Sequence, residues 1–181
     1  MLDQDPIVSC ARAVLPGFVD EVGETFFLVG HRGDALVVLE KCEGSGLLRV
    51  APPVGSTVPV DCTAVGALYM AHCAKQFPVA TIASCSALTP ALLDARVAAA
   101  NAQGWSSNLE LWQAGLAVLA APVIVRNQIR GAVALAASAP RLAQLGGEAL
   151  APTVMPQPRQ WRSACKEIGN ESLDGWPNPH W

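Results

Sequence analysis

The sequence predicts an α+β domain in which helices cover an antiparallel sheet. Two pairs of strand-like runs, within residues 24–42 and 116–138, are each joined by a polar turn, and helical runs opening at Thr63 and Thr89 sit between them. Strands and helices are thus segregated rather than alternating, which favours antiparallel pairing. Composition is the third observation. Of 181 residues, 51% are hydrophobic and 15% charged, which supplies enough apolar surface to cover both faces of a sheet.

Residues 1–22 read as an N-terminal helical segment. Ile7, Cys10, Ala11, Val14, Phe18, Val19 and Val22 fall at helical spacing, and Pro16 with Gly17 is expected to break the segment into two short helices. ETFFLVG (24–30) is strand-like, HRGD (31–34) is a tight turn and ALVVLEKC (35–42) is the hairpin partner. A second turn at 43–46 leads to an extended run over 47–50, so three strands precede the first central helix. The proline-punctuated stretch that follows, with Pro52, Pro53 and Pro59, closes through Gly55 and Ser56 and meets Thr63. Threonine there is a good N-cap for a helix over 63–74, and Gly66 within it signals close packing against a neighbour.

No period is legible over 76–88. Thr89 and Pro90 then supply the N-cap and first residue of a helix that runs to Gln103 and stops at Gly104. Residues 105–112 read as extended or irregular. LAVLAAPVIV (116–125) is a buried strand and GAVALAAS (131–138) its antiparallel partner. The intervening RNQIR is long for a tight hairpin, so a bulge or wider loop is expected. Ala139 and Pro140 end the sheet. Beyond them, Gly146, Gly147, Pro152, Pro156 and Pro158 disfavour a continuous helix, leaving a short one over 159–168 and a flexible tail.

Charge excludes one class of partner. Twelve basic residues against 15 acidic give a net charge of −3, and the basic ones are scattered, so no stripe offers phosphates a continuous surface. Direct nucleic-acid binding by this chain is not expected. The six cysteines form no C-x-x-C pair and follow no secretory leader, which points to reduced thiols and a cytoplasmic location. The longest apolar run, 116–125, is too short to span a bilayer.

The chemistry-bearing positions each admit two readings. Ala64 and Val65 follow Thr63, so their N–H groups belong to an unpaired helix start that favours an anionic or carbonyl oxygen. Cys62 sits beside that helix start, where a thiol pKa falls, and with Asp61 and Glu110 it makes a candidate catalytic set. A small buried cysteine and a solvated Glu110 are the simpler readings. His72 and Cys73 lack the partners a metal needs, and no metal or cofactor is expected. Trp161, Trp176 and Trp181 are candidates for docking on a partner subunit.

GETFFLV (23–29), DALVVLEKCEG (34–44), LRVAPPVGSTVPVDCTAVGAL (48–68), GLAVLAAPV (115–123) and ALAASAP (134–140) together resemble the C-terminal effector-binding domain of the IclR family of bacterial transcription regulators. The resemblance implies a GAF-like fold over 23–140, flanked by the helical segment 1–22 and the C-terminal helix and tail 141–181. It also implies binding of a small carboxylate or aromatic acid, and a homodimer or tetramer. The family's winged helix-turn-helix has no room before Gly23. Its pocket positions correspond here to Leu47, Val50, Val58, Ala64, Val65, Asn108, Leu116, Val118, Ala136 and Ser138. Several members carry Asp, Cys and Ser where this chain has Asn108, Val118 and Ala136, so a less polar pocket without the metal-binding variant is expected. The alternative function is a free-standing enzyme that reuses the pocket to act on a small carbonyl or carboxylate compound.

Overall fold

The computed structural model describes residues 5–46, 52–77 and 88–151, with Trp161. Within them, six strands form one antiparallel sheet in the order β3-β2-β1-β6-β5-β4. These are β1 (Thr25–Arg32), β2 (Ala35–Cys42), β3 (Thr57–Val58), β4 (Ser106–Leu109), β5 (Leu116–Val125) and β6 (Gln128–Ser138). Helix α1 (Pro6–Val22) covers one face, α2 (Ala64–His72) and α3 (Pro90–Gln103) lie on the other, and α4 (Ala139–Gln144) follows β6. The architecture is the α+β arrangement the segregated runs predict.

Strand alternation decides which core each side chain joins. On β1, Phe26 and Leu28 pack with α1, whereas Phe27 and Val29 turn towards α2. On β6, Val133, Leu135 and Ala137 go to the α1 side, while Ala132, Ala134 and Ala136 go to the α2 side. β1 is paired on both edges, with β2 and β6, and its first six residues are buried on both faces. That is why ETFFLVG carries no polar alternation.

Four features depart from the sequence reading. Helix α1 is continuous through Pro16, with Asp5 capping its start and Gly23 ending it in the left-handed conformation at φ 80°. Pro16 lies on the exposed side, where water can hydrate the freed carbonyl. Burial of Phe18 and of Val22 beyond it gains about 1.5–3 kcal/mol each, which offsets the roughly 3 kcal/mol an interior proline costs. Secondly, RNQIR is not a wide loop: Arg126 and Asn127 alone turn the chain, at φ 49° and 62°, and Val125 pairs with Gln128. Two consecutive positive φ values match the right-handed strand twist, and the expected bulge sits in the ladder at Val123/Ile124 instead. Thirdly, Cys10 is disulfide-bonded, not a reduced thiol, while Cys42, Cys62 and Cys73 are free. Its partner lies outside the described residues; a pairing this remote leaves no local spacing to read. Finally, Trp161 is buried in this chain's own α1-side core instead of being offered to a partner subunit. The third strand expected over 47–50 and the short helix expected over 159–168 fall outside the described residues, Trp161 excepted.

The start of α2 is the tightest approach in the fold. Thr63 caps it by accepting from the Gly66 N–H at 3.0 Å, and its hydroxyl donates to the Pro59 carbonyl at 2.6 Å. A methyl group on Gly66 would overlap the Val60 carbonyl, so the first turn of α2 lies directly on the backbone that leads into it. Alanine is the better helix former by about 1 kcal/mol, which alone would make Gly66→Ala stabilising. The clash is with backbone, which cannot rotate away, so Gly66→Ala is expected to lose about 1–3 kcal/mol, read as a lower urea midpoint at unchanged slope.

At the other end of α2, His31 stacks edge-on against Tyr69 and Phe77, with ring centroids 5.7 and 6.3 Å away. Burial, with the Arg32 and Arg130 guanidiniums adding to it, holds the imidazole below its usual range. The unfolded chain therefore binds a proton more readily than the folded one, and stability rises with pH across this interval. The urea midpoint is expected to fall as pH drops from 7.5 through about 6.5, the unperturbed histidine value, and to fall less in His31→Phe.

Candidate functional site

A cleft of about 460 Å³, part of it open to solvent, lies between the sheet and the start of α2. Its floor is the α2-side row of the sheet: Phe27 and Val29 of β1, Val38 of β2, Leu116 and Val118 of β5, Ala134 and Ala136 of β6. The alanines explain why the space exists. Ala134 pairs with Phe27 and Ala136 with Val118 across neighbouring strands, and methyl side chains at these positions leave the volume that larger residues would fill. Pro52, Val58 and Trp112 close the sides.

The roof is the α2 N-terminus, with Thr63, Ala64 and Val65 on the cavity wall. Thr63 satisfies the third N–H of the helix, that of Gly66. Among the described residues, the first two, on Ala64 and Val65, have no hydrogen-bond acceptor. Ala64 and Val65, which carry two amide donors without an acceptor and the positive end of the helix dipole, thus border a space whose described walls are almost wholly apolar. Such a site suits one negatively charged or carbonyl oxygen attached to an apolar body.

Of the positions anticipated from sequence, Val58, Ala64, Val65, Asn108, Leu116, Val118 and Ala136 come together around this cavity. Leu47 and Val50 lie outside the described residues. Ser138 is elsewhere: its hydroxyl caps α4 by accepting from the Arg141 N–H at 3.3 Å. As the last residue of β6, next to Pro140 at the helix start, it serves the strand-to-helix turn and not the cavity wall. Asn108 reaches the wall with its amide already engaged, the nitrogen donating to the Cys62 carbonyl and the oxygen accepting from Leu111 N–H. Phe27, Val29, Val38, Pro52, Thr63, Trp112 and Ala134 were not singled out. The first three and Ala134 follow from the two-residue period of β1, β2 and β6. Pro52 and Trp112, in irregular segments, carry no such signal.

The candidate catalytic set does not converge. Cys62 and Asp61 are buried and absent from the cavity wall. Glu110 is exposed, sits at φ 61° and accepts from the Gly115 N–H at 2.7 Å, closing the turn between β4 and β5. Among the described residues, no three His, Cys, Asp or Glu side chains are grouped to hold a metal. No described helix is long and apolar enough to cross a membrane.

The family model described as "Bacterial transcriptional regulator IclR C-terminal" matches residues 1–160. The chain belongs to the IclR family, as its C-terminal effector-binding domain. It is 33% identical over 142 residues to "Probable transcriptional regulator SauR" of Cupriavidus necator, a match covering 71% of this chain and 54% of that protein. The chain therefore spans about half the length of this relative. Among solved structures, the IclR protein of Thermotoga maritima superimposes with a TM-score of 0.78 at 18% identity, covering 93% of this chain and 70% of that one. The C-terminal domain of the Escherichia coli transcriptional regulator KdgR gives a TM-score of 0.67 at 18% identity, covering 93% and 99%. At such identities the likeness is one of fold, and it places the curled six-stranded sheet and its helices within the IclR effector-domain architecture.

Within this IclR-family domain, burial raises the thiol pKa of both Cys42 and Cys73, the carboxylates of Asp20 and Glu40 adding to it at Cys42. Cys62 is only 4% exposed. In the native protein, Cys62 is expected to be modified by a neutral-pH thiol reagent more slowly than Cys42 or Cys73, as followed by peptide mass mapping. Faster labelling of Cys62 would return it to consideration as a nucleophile.

Proposed function

We propose that the cavity binds a small molecule with one carboxylate or carbonyl head and an apolar or aromatic body, and that occupancy alters the geometry of a cytoplasmic dimer or tetramer of IclR-type chains. On this reading the chain is a sensor that uses no metal or cofactor and does not itself contact nucleic acid or membrane. The observation that supports it is that Ala64 and Val65, whose N–H groups have no acceptor among the described residues, border an otherwise apolar space.

The energetics favour this ligand class. Burying a carboxylate in apolar surroundings is costly unless its oxygens find donors. Two charge-assisted hydrogen bonds contribute about 1.5–3 kcal/mol each, and a helix N-terminus adds about 0.3–1 kcal/mol for a negative charge. No described lining residue is acidic, so none of them opposes an anion. The body is held by area: each buried methylene-sized group gains about 0.8 kcal/mol, and the walls from Phe27 to Trp112 present no polar group that such a body would leave unpaired.

The test compares 2-naphthoate with 2-methylnaphthalene, which keeps the body and drops the head, by fluorescence titration and thermal melting. Saturable binding of 2-naphthoate is expected, at least tenfold tighter than that of 2-methylnaphthalene. Ala134→Leu, whose side chain enters space already present, is expected to weaken 2-naphthoate more than tenfold while the melting temperature is kept or raised. Equal affinity for the two probes in the unmodified protein would sink the reading.

A further inference from the structure

The α2 N-terminus does not hold its own direction; two side chains from different elements grip the peptide units just ahead of it. Asn108, on β4, donates to the Cys62 carbonyl. Arg96, on α3, donates from one guanidinium nitrogen to the Thr63 carbonyl at 3.3 Å and to the Ser107 carbonyl at 3.2 Å. Two consecutive carbonyls, at Cys62 and Thr63, are therefore fixed by donors from β4 and α3. Ser107 and Asn108 are adjacent on the strand, so the two grips share a support.

We infer that Arg96 is a positioning residue for the head-binding amides, acting with Asn108 to aim the Ala64 and Val65 N–H groups into the cavity. The inference rests on the ligand reading given above, because it assigns those amides their task. The geometry supports it in three ways. Arg96 is absent from the cavity lining, so it cannot serve by touching the ligand body. Its bond to the Thr63 carbonyl falls on the N-cap residue itself, whose backbone dihedrals (φ −113°, ψ 157°) set the direction in which α2 departs. The Asn108 amide is fixed in orientation, since its oxygen takes the Leu111 N–H at 2.9 Å and its nitrogen is thereby left to face Cys62.

A positioning role differs from a merely structural one in which affinity it controls. Loss of the grip lets the first turn of α2 tilt, so hydrogen bonds to a ligand head are lost while the apolar floor on the sheet stays. Arg96→Met keeps most of the stem and removes the donors. It is expected to weaken 2-naphthoate about tenfold while changing 2-methylnaphthalene less than twofold, so the ratio between the probes collapses. Arg96→Lys is expected to recover part of the ratio. In ¹⁵N–¹H spectra, 2-naphthoate should shift the Ala64 and Val65 amides in the unmodified protein and in Arg96→Lys, but much less in Arg96→Met. Unchanged 2-methylnaphthalene binding shows that the cavity is still folded. If Arg96→Met retains the full ratio and the amide shifts, the positioning role is overturned and the ligand reading stands. If the unmodified protein shows no ratio to lose, both fall together. Should Arg96→Met fail to fold, Arg96→Gln, which keeps a polar end but is too short to bridge the Thr63 and Ser107 carbonyls, is expected to lower the same ratio, and an unchanged ratio there overturns the role.

Discussion

The contact on which the site depends is the approach of Gly66 to the Val60 carbonyl. A helix can lie on the backbone of the segment that leads into it only where a side chain is missing, and Gly66 supplies that absence. Once α2 is pressed down there, its first turn stands over the sheet and borders the alanine-floored space below. Thr63 completes the turn from inside, taking the one early amide, that of Gly66, that would otherwise compete with those of Ala64 and Val65. The order of the sequence, proline run then Thr63, Ala64, Val65 and Gly66, is thus a folding instruction that also sets one wall of the cavity.

The sheet solves a different problem, that of being buried on both faces with one set of strands. β1 and β6 do so by carrying consecutive apolar residues, over 26–29 and 131–137, and sorting them by size. The α1 side receives Phe26, Leu28, Val133 and Leu135. The α2 side receives Ala132, Ala134 and Ala136 from β6, and is not filled everywhere. Interiors pack to near-crystalline density when left to stability alone. A row of alanines on one face of a central strand, facing a helix start, therefore trades stability for space. The same strand pays nothing for this on its other face, because alternation makes the two faces independent.

What could be read from the sequence follows how local the controlling physics is. α3 was legible to the residue, since Thr89, Pro90 and Gly104 are local signals that nothing distant overrides. β5 was equally legible, its ten apolar residues being too few for a membrane span and bounded by Gly115 and Arg126. Pro16 misled because the energy that keeps α1 whole comes from a sheet far away in sequence. The Arg126 and Asn127 turn misled because neither pair member is glycine, although asparagine tolerates positive φ. In the site, the helix start at Ala64 and Val65 could be read from the Thr63 cap, whereas Val58, Asn108, Leu116, Val118 and Ala136 came from the family resemblance. Phe27, Val29, Val38 and Ala134, which strand period could have given, were missed. Ser138 was misread, because a residue at a strand end next to Ala-Pro can point into a cavity or cap the next helix, and only the backbone direction decides. Arg96 carried no signal at all: it stands mid-helix among alanines, and its role exists only where α3 passes β4 and the residues before α2.

The chemistry of such a head site limits what it can recognise. A fixed guanidinium on the wall would hold an anion more strongly, but it would also demand one, since an empty site would leave that charge buried without a counter-ion. Two backbone amides at a helix start carry only partial charge, so the empty site costs less and the occupied one gains less. Discrimination then rests on what is absent. On the proposed reading a cation would meet the positive end of the dipole, a dianion would find among the described lining residues donors for one head and none for a second, and a neutral hydrocarbon would find area but leave the amides unsatisfied. An oxygen-headed, otherwise apolar molecule satisfies both the amides and the walls, and it can leave again when its concentration falls, which a reversible sensor requires.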